Sequence, residues 1–108
     1  MIFRFYAFAI ATSVLVQVMH SSVVKASTEE NNQRLLHYGM GAGVAITLCD
    51  LVENGNISKT IGDLFVSNFK SGFEEEIDNE PMEYLRKQSL KDGFNDGSKE
   101  VPGCSLSY

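Results

Sequence analysis

A chain of 108 residues has room for one small domain with a modest core. Its 14 Asp and Glu against nine Lys and Arg give a formal charge of −5, and a surface of that sign repels phosphate backbones, so nucleic acid is set aside as a partner. Two cysteines and two histidines are all it offers for thiol or imidazole chemistry.

The chain opens like an export signal. Arg4 supplies a basic start, Phe5–Val16 is apolar but for Thr12 and Ser13, and a more polar stretch (Gln17, His20, Ser21, Ser22) leads to Val24-Lys25-Ala26. Charge, apolar core and small-residue exit in that order predict a secretory signal peptide over 1–26, cleaved between Ala26 and Ser27. The alternative is a retained membrane anchor. A spanning helix needs about 20 apolar residues, and Gln17 and His20 interrupt this run before that length. No cysteine follows the cleavage point and no Arg-Arg pair precedes it, so export is expected through the general pathway, to the bacterial periplasm or the extracellular space. The mature part, 27–108, keeps seven basic residues against all 14 acidic ones, a charge of −7, and no stable membrane insertion is expected after cleavage.

The first mature helix is expected over 27–54. Ser27-Thr28-Glu29-Glu30 has capping-box form, Leu36, Met40, Val44, Leu48 and Leu51 or Val52 make an apolar stripe, and Asn54-Gly55 stops it. Gly39-Met40-Gly41-Ala42-Gly43 is its weak point, since each glycine costs a helix about 1 kcal/mol relative to Ala. The helix either breaks there or presents Gly39 and Gly43, one turn apart, as a packing surface for a neighbouring helix or a second copy. A second helix is expected from Ser58, its cap, to about Lys70, with Ile57, Ile61, Leu64, Phe65 and Phe69 on its inner face and Gly72 ending it. The third is expected from about Glu80 to Lys91, capped by Asp78 or Asn79, with Pro81 in its first turn. Its sparse apolar residues (Met82, Tyr84, Leu85, Leu90) make it the least firmly packed. Lys70-Ser71-Gly72-Phe73 and Lys91-Asp92-Gly93-Phe94 read as two helix exits, and the tail from Asn95 as irregular, with turns at Asp96-Gly97 and Pro102-Gly103.

An even pair of cysteines in a small exported domain predicts the disulfide Cys49–Cys104, which ties the tail to the first helix. Closing a loop of that length constrains the unfolded chain by about 4 kcal/mol.

No constellation for catalysis, cofactor or metal emerges. The glycine cluster has Val44 where the third glycine of a dinucleotide fingerprint belongs, and no strand precedes it. Asp92–Gly103 places Phe94 and Gly103 at two oxygen positions of a calcium loop. Glu74-Glu75-Glu76 reads as a solvated linker. His37, the one mature histidine, is expected at the surface or partly packed; no nucleophile accompanies it, and no serine sits in a G-x-S-x-G elbow. Asn56-Ile57-Ser58 has the N-glycosylation pattern, which a helix exit followed by a Ser cap already explains.

The expectation is an all-α exported domain, a small bundle of three or four helices with an irregular C-terminal tail tied back by one disulfide. The layout is similar to small disulfide-bonded helical proteins of the bacterial periplasm, such as acid-stress chaperones and immunity proteins, a likeness of architecture that carries no functional residue across. The function expected is non-enzymatic protein–protein interaction, with Phe65, Phe69, Phe73 and Tyr84 as contact face; the alternative is a membrane-associated protein that keeps its apolar N-terminus.

Overall fold

The computed structural model describes residues 21–108, with side chains from Thr28 onward, so the leader up to residue 20 and the side chains at the Ala26–Ser27 bond lie outside the described residues. Three helices make up the architecture: α1 (Ser21–Glu53), α2 (Lys59–Ile77) and α3 (Glu83–Lys99), with no strand among the described residues. The chain divides into units Met1–Asn31 and Asn32–Tyr108. The first contributes only the leading part of α1 to the description. The second holds the rest of α1, both later helices and the tail.

The expected capping box at Ser27-Thr28-Glu29-Glu30 is not a helix start, because α1 is already helical from Ser21. Nor does the helix break at its glycines. The three point to different sides of the cylinder, and only Gly41 points inward. A methyl group there would overlap the Leu90 carbonyl oxygen and lie 2.8 Å from the Phe94 amide nitrogen of α3. At Gly93 of α3 a methyl would overlap the Tyr38 carbonyl oxygen, and at Gly97 it would lie 2.7 Å from the carbonyl oxygen of Ala42. The two backbones therefore touch through three side-chain-free positions, and packing offsets the helix propensity that glycine forfeits.

This contact corrects the expectation for α3. Gly93 does not terminate a helix, and Asp96-Gly97 is not a turn; both glycines are buried inside α3, which runs on to Lys99. The helix expected to be least firmly packed holds Leu90 and Phe94 with no solvent exposure. Each contributes about 2–3 kcal/mol by burial. Its start also differs from expectation. Met82, in the left-handed region at φ 60°, precedes it without a side-chain cap, and Asn79 is left-handed at φ 64°. Asp78 ends α2 instead of starting α3.

α2 starts as expected, the Ser58 hydroxyl accepting from the Ile61 amide at 3.2 Å. It continues past Lys70 and Gly72 to Ile77, so Glu74-Glu75-Glu76 belongs to its C-terminal end and is not a linker. Gly62, Val66 and Ile77 are buried, with Phe69 and Phe73 half-buried between them. The inner face is thus turned from the expected one, and Ile61, Leu64 and Phe65 are 42%, 56% and 50% exposed. Anchoring Ile77, which is only 3% exposed, holds the helix together past Gly72.

Cys49 and Cys104 are bonded, with their Cα atoms 5.4 Å apart. The bond brings the irregular tail against the bundle, where Leu106 joins Ala45, Leu48, Cys49, Val66 and Phe94 in the core. Tyr108 completes an aromatic cluster: its ring centroid lies 5.8 Å from Phe94, and Phe69 lies 4.7 Å from Phe73.

The three-glycine contact predicts opposite effects for two glycines that lie on the same pair of helices. Gly93→Ala should cost about 2–4 kcal/mol, because backbone must move to admit the methyl. Gly43→Ala, which meets nothing within 4 Å, should gain up to about 1 kcal/mol. Urea denaturation of both variants checks this; equal losses would show that the two sites are packed alike.

Candidate interaction surface

The expected residues separate into those the bundle uses and those it leaves outside. Of the foreseen contact face, Phe69 and Phe73 are half-buried in the aromatic cluster, whereas Phe65 and Tyr84 are 50% and 81% exposed. A methyl group at Gly39 or Gly43 would meet nothing of this chain within 4 Å, so the close helix contact they suggested is made by Gly41 instead. His37 is buried, at 6% exposure, not at the surface. Its Nδ1 lies 2.8 Å from the Gln33 carbonyl, which can only accept, so Nδ1 carries the proton. One helical turn of its own backbone thus satisfies it, and no nucleophile or carboxylate is paired with it among the described hydrogen bonds.

Besides Tyr84 of α3, large apolar side chains remain exposed on the other two helices. α1 exposes Leu35 (70%), Leu36 (54%) and Ile46 (37%); α2 exposes Ile61, Leu64 and Phe65. Positions 61, 64 and 65 share one side of a helix at three- and four-residue spacing, so they form one patch rather than scattered exposure. The sequence carries this signal, because Gly62, Val66, Phe69 and Phe73 provide an alternative inner face at the same spacing; glycine is simply not counted as apolar in such a pattern.

Two surface clefts flank α3. One, of about 630 Å³, is lined by Arg34, Leu35 and Tyr38 of α1 and by Asp92, Asp96 and Lys99 among others of α3. The Tyr38 hydroxyl donates to Asp96 at 2.7 Å. That bond, with a smaller cost of burial and the fields of Asp96, Asp92 and Glu100, raises the Tyr38 pKa. The cleft holds acids and bases in equal number and no buried catalytic pair. The other, of about 290 Å³, lies between α2, α3 and the tail, lined by Lys70, Tyr84, Lys87, Lys91 and Tyr108 among others. Here Lys70 sits 5.1 Å above the Tyr108 ring, and the Tyr108 hydroxyl donates to Glu74 at 3.2 Å. No group of three or more potential metal ligands occurs among the described residues.

Lys87 braces the α2–α3 connection, donating to Asp78 at 2.5 Å and to Glu83 at 2.9 Å. Its bond to Asp78, then that to Glu83, holds its pKa above the usual 10.5, and the same bond from Lys87 lowers Asp78 below 3.8. Burial first, then the charge of Glu74, pushes Tyr108 up from 10.0 to about 12.

These shifts set a pH window. The brace is fully present above the unfolded Asp value of 3.8 and is lost as pH falls through the lower folded value. At the alkaline end Tyr108 holds its proton more tightly when folded, so stability falls as pH rises from 10 to about 12. Urea midpoints against pH should be flat between these limits and fall beyond both, with Lys87→Met flattening the acid limb and Tyr108→Phe the alkaline one. Unchanged limbs in the two variants would assign the pH dependence elsewhere.

The apolar helix near the N-terminus and the disulfide fit an exported protein. Comparison with family models, curated proteins and solved structures gives no match, so the geometry above stands on its own.

Proposed function

We propose that the chain is a small exported protein, periplasmic or secreted, that works without catalysis by binding another protein. The observation that carries this reading is the patch of Ile61, Leu64 and Phe65 on α2, apolar residues left outside a core that is closed by other side chains. Exposed apolar clusters on a small domain are characteristic of contact sites. Chaperone-, inhibitor- and immunity-like roles all need such a surface. A chaperone gains apolar exposure as carboxylates protonate, so it binds an apolar dye on acidification; an inhibitor or immunity protein forms one tight complex.

A second reading is a membrane-associated protein that retains its apolar N-terminal segment. It is motivated by the apolar run Phe5–Val16 in the sequence; beyond it, Thr28–Glu53 is also long and apolar enough to cross a membrane by length and composition. Core helices of soluble proteins meet the same criterion, and the inward residues of this one pack against α3. Fractionation separates the readings, because an anchored chain stays with membranes until detergent is added.

The binding reading makes a direct prediction. Protein recovered from the exported fraction should migrate as a complex with a partner, and Leu64→Asp with Phe65→Asp should abolish that complex while shifting the melting temperature little, since both positions are about half exposed. Migration of wild type and variant alike as free protein would overturn it.

A further inference from the structure

Beyond Cys104 the tail runs without turn or bend, and its burial alternates. Ser105 and Ser107 face solvent, Leu106 is buried at 3% exposure, and Tyr108 is half-buried. That is the period of an extended chain, with an aliphatic and an aromatic side chain two residues apart on one side. Among the described residues, 105–108 make no backbone hydrogen bond; the last such bond runs from the Cys104 amide to the Val101 carbonyl. Side chains alone seat this segment. A methyl group at Gly62 of α2 would lie 2.8 Å from Val52 Cγ2 and 3.3 Å from Leu106 Cδ2, so Leu106 lies beside both α1 and α2. The Tyr108 ring is 6.4 Å from that of Phe69 and 5.8 Å from that of Phe94, with the Lys70 ammonium above it.

The disulfide brings this segment to its seat without locking it there. It closes the loop from Cys49 to Cys104 and leaves 105–108 outside, so the segment can lift off with the bond intact. Lifting breaks one hydrogen bond, Tyr108 to Glu74, and no backbone bond of any helix. Segments held this way open locally before the rest of a domain does. Opening uncovers a groove lined by Val52 of α1, Gly62, Val66 and Phe69 of α2, and Phe94 of α3. We propose that 105–108 is a displaceable strap over a binding groove, and that the groove takes an extended segment of a partner protein bearing an aliphatic and an aromatic residue two positions apart. The seated strap states that chemistry, since Leu106 and Tyr108 fill the groove while Ser107 between them points to solvent. The groove deepens the protein-binding reading, on which it rests, yet shares no residue with the patch of Ile61, Leu64 and Phe65.

Displacement is measured on the oxidised protein with a fluorescent peptide of residues 102–108 carrying Cys104→Ser. Leu106→Ser with Tyr108→Ser in the protein empties the groove. This variant should bind the peptide about tenfold or more tightly than wild type, where the tethered strap competes at an effective concentration of about millimolar. A peptide that also carries Leu106→Ser should not bind. Leu64→Asp with Phe65→Asp in the protein should leave peptide binding unchanged, so failure of the α2 patch and failure of the groove are read separately. Equal peptide binding by wild type and strap variant overturns the proposal, and so does no binding to a variant whose circular dichroism shows the native helix content. A wild type that sediments as a dimer with straps exchanged would make the occupant a second copy and overturn the one assigned. Relaxation dispersion on the wild type does not depend on the variant folding. The Leu106 methyl groups should show microsecond-to-millisecond exchange while those of Leu90 show none, whereas the same behaviour at both positions overturns the strap.

Discussion

The direct backbone contact between α1 and α3 is what the rest of the structure depends on. Gly41, Gly93 and Gly97 remove the side chains that would hold two helices apart, and the carbonyls of Tyr38, Ala42 and Leu90 come to lie where a methyl group would otherwise be. Helices packed through ordinary side chains sit about 8–10 Å apart. Closing that space lets α3, whose mean composition is polar, bury Leu90 and Phe94 completely and carry the core with very few apolar residues. The tail then needs only one covalent tie, Cys49–Cys104, to bring Leu106 and Tyr108 onto the same core.

A core made this way is economical in side chains, and it leaves apolar residues outside. Val66 and the half-buried Phe69 and Phe73 satisfy α2 on one side, so Leu64 and Phe65 have no internal role. On α1 the small residues Gly41 and Ala45 form the inner face, which leaves Leu35 and Leu36 in solvent. The surplus on the two helices has one origin, and it is the physical basis of the binding proposal. The ionic features, by contrast, are local. Lys87 holds the α2–α3 connection, and Tyr38 and Asp96 close the rim of a cleft, but neither carries the fold.

Much of the architecture is legible from residue pattern. Helical periodicity, the Ser58 cap and the cysteine pair are sufficient for an all-helical domain with a tethered tail. What misleads is glycine. In isolation Gly72, Gly93 and Gly97 are helix breakers by conformational entropy, and sequence alone does not show that tertiary contact will offset that cost. The same residue type explains the rotated inner faces: a glycine pressed against a backbone is as interior as a leucine, yet it contributes nothing to an apolar stripe. Of the exposed apolar residues, Phe65 and Tyr84 are legible in the sequence, while Leu35, Leu36 and Ile46 emerge only once α3 has claimed the opposite side of α1. The burial of His37 is not legible either; its hydrogen bond to the Gln33 carbonyl is the local feature that makes such burial tolerable.

The most direct test of this account is a nuclear Overhauser measurement between the α-protons of Gly93 and Tyr38 in the folded protein. The backbone contact predicts a strong cross-peak, accompanied by slow amide exchange from Gly93 through Lys99. No cross-peak, with those amides exchanging as fast as a free turn, would mean that α3 ends at Gly93 and that the core described here is not the one the protein has.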